Sequence, residues 1–71
     1  MSETSRGHIK FVAREKGYGF LIDRENAREL FFHCMACRTP FDNLLEGEAV
    51  RYELGVNARD NRQRAVNVER E

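Results

Sequence analysis

The chain has 71 residues, 41% of them hydrophobic and 34% charged, with one proline and five glycines; this suits one small globular domain and excludes two domains, a disordered segment or a fibre. Twelve Lys and Arg balance twelve Asp and Glu, which excludes the simplest signature of a nucleic-acid binder, a strongly basic whole domain, and makes any basic face local. Apolar runs such as Phe11-Val12-Ala13 and Phe20-Leu21-Ile22 fall far short of the roughly 18 to 20 residues that span a bilayer, so no membrane partner is expected.

Residues 1–6 carry no apolar stretch of the kind found in a secretory signal. They are expected to form a flexible tail ahead of one domain over 7–71, with the cytoplasm as the expected location. Residues 8–14 form the first predicted strand, opened by Gly7 and followed by a Glu15-Lys16-Gly17 turn with glycine at its end. Residues 18–23 form the second. The polar stretch 24–29 fits a loop or a helical turn, and residues 30–34 are a short apolar and aromatic run suited to a third strand. Residues 35–47, with Pro40, Asp42, Asn43 and Gly47, predict a long connection with room for one helical turn. From Glu48 a clear alternation sets Val50, Tyr52, Leu54 and Val56 on one face and Ala49, Arg51 and Glu53 on the other, as a half-buried fourth strand requires. Residues 57–61 read as a polar turn, and a fifth strand places Val66 and Val68 on one face against Ala65, Asn67 and Glu69.

Five short strands with one long connection predict a small closed or nearly closed barrel, because closure removes edges that a tiny sheet could not protect. A two-layer α+β fold would need a long amphipathic helix over 24–37, a stretch that reads better as loop plus strand.

A chain of this length buries only about 60% of the surface its unfolded form exposes. It therefore cannot cover both sides of its sheet. In the second strand Tyr18 and Phe20 share one face and Gly19 and Leu21 the other; in the third, Phe31 and His33 oppose Leu30 and Phe32. Leu21, Leu30 and Phe32 match the aliphatic faces of the later strands, and His33 wants water or a polar partner, so Tyr18, Phe20, Phe31 and His33 are assigned to solvent. Exposed rings flanked by Lys10, Lys16 and arginines suit single-stranded nucleic acid: bases stack on the rings at about 1 to 3 kcal/mol each while cations meet phosphates. Any one ring alone would more ordinarily be core. The pairing of rings at period two in two consecutive strands favours the surface.

Other groups carry weaker signals. Cys34-Met35-Ala36-Cys37 has the spacing of half a zinc site or of a redox pair, but only His33 and His8 could complete a metal site, and a strand end supplies no helix N-terminus to activate a thiol. Two free, reduced thiols are expected, with no metal and no cofactor. His33 has no serine, threonine or carboxylate in a motif beside it, so no catalytic residue is expected. Arg59, Arg62 and Arg64 either edge a binding groove or balance Glu69 and Glu71. Ten of the twelve cations are arginine, which suits stacking and forked hydrogen bonds.

Taken together, Gly7-His8-Ile9-Lys10-Phe11, Lys16-Gly17-Tyr18-Gly19-Phe20-Leu21 and Leu30-Phe31-Phe32-His33, with Leu45-Glu46-Gly47-Glu48-Ala49-Val50 and Ala65-Val66-Asn67-Val68, resemble the cold-shock domain. The resemblance implies an all-β, five-stranded antiparallel oligonucleotide-binding (OB-fold) barrel that binds single-stranded RNA or DNA, in the manner of RNA chaperones or antiterminators. By position it puts Lys10, Phe11, Lys16, Tyr18, Phe20, Phe31, His33 and Phe41 on the binding face. The chain departs from the family pattern at Phe11, where tryptophan is usual, at Val12 and Cys34, where aromatic residues are usual, and at Ala13, where asparagine is usual. Two lost rings would weaken binding by roughly 2 to 6 kcal/mol if each normally meets a base and the losses add.

The expected function is therefore a monomeric, non-enzymatic module for single-stranded RNA and DNA. The alternative is a barrel of the same fold whose thinned platform serves as a patch for a protein partner or for a second copy in a homodimer.

Overall fold

Wherever apolar residues alternate between polar turns, the backbone takes up strand: β1 (Ser5–Ala13), β2 (Tyr18–Asp23), β3 (Glu29–His33), β4 (Ala49–Val56) and β5 (Gln63–Arg70). The computed structural model describes residues 4–56 and 62–71. Every strand pairing is antiparallel, and the five strands form one sheet in the order β3-β2-β1-β4-β5. Between β3 and β4 the chain makes two single-turn 3₁₀ segments, Cys34–Ala36 and Phe41–Asn43. No helix among the described residues is long and apolar enough to cross a membrane.

The all-β expectation holds, but the sheet is not closed into a barrel. No ladder joins β3 to β5 among the described residues. β3 has only five residues and runs directly into the first 3₁₀ turn, so it offers little edge for β5 to pair. The segment after that turn spans the gap instead: Cys37 bridges to Val68, and the Val68 carbonyl accepts from the Arg38 amide at 2.7 Å. The Arg70 amide in turn donates to Thr39 Oγ1 at 2.9 Å.

One face of the curled sheet encloses Ile9, Leu21, Leu30, Phe32, Leu44, Val50, Tyr52, Ala65 and Val68, all buried. Two irregularities decide which side chains reach it. In β1, Ile9 pairs with Leu21 but Phe11 pairs with Phe20, leaving Lys10 as an extra residue. Simple alternation would carry Phe11 inward with Ile9; the bulge turns it outward beside Phe20. In β5 a second bulge follows from Arg51 pairing with Glu69 while Glu53 pairs with Val66. Asn67, at φ 52, supplies the left-handed residue it needs.

That second bulge corrects the face assignment of β5. Ala65 and Val68 are buried and Val66 is only half-buried, because the extra residue shifts the alternation partway along the strand. The expectation for β4 also holds only in its first half. Val50 and Tyr52 are buried, whereas Leu54 and Val56 are exposed. Among the described residues β1 pairs with β4 no further than Tyr52, so beyond that point β4 has only β5 beside it there.

At the N-terminus, Ser5 and Arg6 pair with Tyr52 and Arg51. Both belong to β1 rather than to the expected tail, since β4 gives their backbone a partner. The predicted turn at 57–61 lies outside the described residues. The polar stretch after β2 is a turn organised by Asp23, whose Oδ1 accepts from the amides of Glu25 at 2.8 Å and Asn26 at 3.1 Å. Its Oδ2 accepts from the Tyr52 hydroxyl.

Candidate functional site

The outer face of β2 and β3 carries the rings. Cross-strand pairing sets Phe20 opposite Phe31 and Tyr18 opposite His33, and alternation sends Leu21, Leu30 and Phe32 to the core from the same strands. Tyr18, Phe20 and Phe31 stay half-buried and His33 is exposed. The ring centroids of Tyr18 and Phe31 are 5.5 Å apart and the planes are nearly parallel. Phe20 meets both edge-on, at 6.0 Å from Tyr18 and 5.8 Å from Phe31. These edge-to-face contacts hold the three rings as one platform without taking them out of solvent.

Gly19 sits beneath this platform on the core side. A Cβ there would lie 2.6 Å from the Phe11 carbonyl oxygen and 2.8 Å from Phe32 Cζ, so only glycine lets β1, β2 and Phe32 approach so closely. The glycine-aromatic alternation of β2 has a mechanical basis: the glycine admits a core ring below while its neighbours carry rings above.

Phe11 joins the platform's edge, exposed at 45% and paired with Phe20. His33 Nδ1 accepts from the Met35 amide at 3.1 Å. In the neutral imidazole this geometry assigns the proton to Nε2, which is then a donor available to a ligand. Lys16 is exposed in the turn before β2. Lys10, on the bulge, is exposed but tied to Glu29, with Nζ to Oε2 at 2.5 Å. Its charge toward a ligand is thus partly offset.

Phe41 is not brought to the platform. It packs against the core, its ring meeting Phe32 edge-on with centroids 6.2 Å apart. Val12 likewise packs against the core, and Cys34 lies under the β1–β2 turn, its Sγ 3.2 Å from where a Gly17 Cβ would stand. These last two are the positions at which the resemblance marks aromatic residues as usual and this chain departs from the pattern.

Arg64 is the side chain whose role the sequence left open. Its guanidinium carbon lies 5.5 Å from the centroid of Phe31, within cation-π range. With Arg62 and Gln63 it walls a cleft whose floor is Phe20 and Phe31. Arg59, considered with it, lies outside the described residues. Sequence periodicity could not have found this contact, since it joins the two outer strands of the sheet.

The two cysteines are free. Burial, with the neighbouring Cys34 as a smaller cause, pushes the Cys37 thiol up to about 11. Among the described residues no cluster of three or more His, Cys, Asp or Glu side chains could hold a metal ion.

Comparison with known proteins agrees with this geometry. The model of the 'Cold-shock' DNA-binding domain matches residues 5–71. The chain is 36% identical to cold shock protein CspC of Bacillus subtilis over 66 residues, covering 92% of this chain and 96% of that protein. It is 32% identical to cold shock-like protein CspE of Escherichia coli over 50 residues, covering 69% of this chain and 72% of the other. It is 33% identical to Glycine-rich protein 2 of Nicotiana sylvestris over 67 residues, 93% of this chain but only 31% of that longer protein.

Proposed function

The chain belongs to the cold-shock domain family, in general a family of nucleic-acid binders, and from that premise we propose that it binds single-stranded RNA and DNA on the outer face of β2 and β3. The observation that carries this reading is the platform of Tyr18, Phe20 and Phe31, three rings in mutual contact and open to solvent. A chain with an apolar core of its own has no folding reason to gather three rings on its wet side. Unpaired bases offer π-faces of matching size, and stacking needs no net positive charge on the protein.

In this reading Phe11 extends the platform, His33 donates from Nε2, and Lys10 and Lys16 set the salt dependence by meeting phosphates. Phe41 acts indirectly, by fixing Phe32 under the sheet. The module works as a non-enzymatic monomer without cofactor, in the cytoplasm, keeping RNA single-stranded as a chaperone or antiterminator does.

The test is titration of labelled heptathymidine and a mixed-sequence RNA heptamer with the full chain at two salt concentrations. Affinity should fall as salt rises, and Phe20→Ala or Phe31→Ala should weaken binding roughly 5- to 150-fold per lost stacking partner while the circular dichroism spectrum is unchanged. Absence of binding at low salt, together with a dimer by light scattering, would replace this reading with a protein-interaction module.

A further inference from the structure

The cleft between Arg64 and the platform offers more than a stacking surface. Its floor is the rings of Phe20 and Phe31, and its wall is the side chains of Arg62, Gln63 and Arg64 from the start of β5. β5 pairs Arg64 with Gly55 on the outer face of the sheet while Ala65, next in the strand, is buried. The position of Arg64 is thus set by a strand and not by a loop. Its guanidinium reaches across to Phe31, while Nε is buried and has no hydrogen-bond partner among the described residues. A guanidinium has five N–H donors and no acceptor. An unpaired buried donor is unfavourable unless something with acceptors completes it.

A base entering this cleft meets a flat apolar floor and a forked donor at its edge. Among the bases, guanine carries two neighbouring acceptors, O6 and N7, at the spacing of the guanidinium fork. Adenine presents an acceptor beside a donor at the same edge and thymine a single carbonyl there. Gln63, on the same wall, can accept through its amide oxygen from the N–H groups that guanine alone places next to O6. Building on the nucleic-acid reading above, we propose that the Phe20–Phe31–Arg64 cleft is a guanine-preferring subsite, in which the base stacks on the rings and Arg64 donates in a fork to O6 and N7. The fork, more than the charge, is the discriminating element, because a lysine at the same place would supply charge without two fixed parallel donors.

The test compares labelled heptathymidine with heptamers in which one central thymidine is replaced by guanosine, adenosine or cytidine, bound to the full chain at one low salt concentration. The guanine-containing strand should bind on the order of tenfold tighter than the others, within the range a bidentate contact gives. Arg64→Lys should abolish that advantage and bring all four strands to the same affinity, with the salt dependence of binding unchanged since the charge is kept. Equal affinities of wild type for all four strands, or a guanine preference that survives in Arg64→Lys, would overturn the subsite and leave the stacking platform standing. Failure of every strand to bind wild type would overturn the platform itself and the subsite with it.

Discussion

The only buried charged residue among those described is Asp23, 7% exposed, and the group that makes it tolerable is the hydroxyl of Tyr52, 1% exposed. Replacing Tyr52 by phenylalanine keeps the ring and its packing and removes the donor to Oδ2, leaving the carboxylate with the Glu25 and Asn26 amides on Oδ1. A hydrogen bond to a charged group contributes about 1.5 to 3 kcal/mol. In a domain of this size 1 kcal/mol moves the thermal midpoint by about 4 to 8 °C, so Tyr52→Phe should melt on the order of 10 °C lower at neutral pH. The pH dependence follows from the same contact. The Tyr52 hydroxyl, the largest influence on Asp23, holds its carboxyl below the usual carboxylate range, against a smaller opposing effect of burial. Burial first, and then the Asp23 carboxylate, push the Tyr52 hydroxyl well above the usual phenol range, so it remains a donor under all ordinary conditions. A lowered folded-state pKa gives stability that is present above the unfolded value of about 3.9 and is lost as pH falls through the folded value. The gap between wild type and Tyr52→Phe should therefore be full at neutral pH and shrink below about pH 4. Thermal melts followed by circular dichroism, which needs no tryptophan, measure both. Equal midpoints at neutral pH, or a gap that does not narrow in acid, would refute the assignment.

Two further expectations rest on separate contacts. Gly19→Ala places a Cβ against the Phe11 carbonyl and the Phe32 ring and should cost about 1 to 3 kcal/mol by overpacking, measured by denaturant titration; an unchanged midpoint would show that β1 and Phe32 yield freely. In Cys34→Ala, burial, the larger cause of the raised Cys37 thiol, remains, so Cys37 should alkylate at pH 8 at least about tenfold more slowly than an ordinary thiol, as followed by mass spectrometry. Alkylation at the rate of a free cysteine peptide would show that the burial is not maintained in solution.

Much of the platform was legible because β2 and β3 obey strict alternation. Once the chain is too short to cover two faces, a strand reading Tyr18-Gly19-Phe20-Leu21 beside one reading Leu30-Phe31-Phe32-His33 must choose, and Leu21, Leu30 and Phe32 take the inside. What escaped the sequence lies where alternation breaks. The bulge at Lys10 turns Phe11 outward, where the family resemblance and not the period of β1 had placed it, and the one at Asn67 exchanges Val66 for Ala65. Each depends on how a strand must bend to meet partners distant in sequence, information no local window contains. Asn67 does carry a hint, being of a residue type that enters the left-handed region readily.

Phe41 and Arg64 show the same division from the side of the site. Both follow from how the sheet curls and not from the period of any strand: the curl draws Phe41 onto Phe32 from the connection before β4, and it carries the start of β5 across to β3, where Arg64 meets Phe31. The exchange has a chemical consequence. The outer face lacks a loop ring and carries at its margin a planar cation with a fixed fork; on the proposed reading this trades stacking area for discrimination between base edges. On that reading a chain with no net charge holds a polyanion selectively by placing one arginine against one ring rather than by spreading positive charge over a surface.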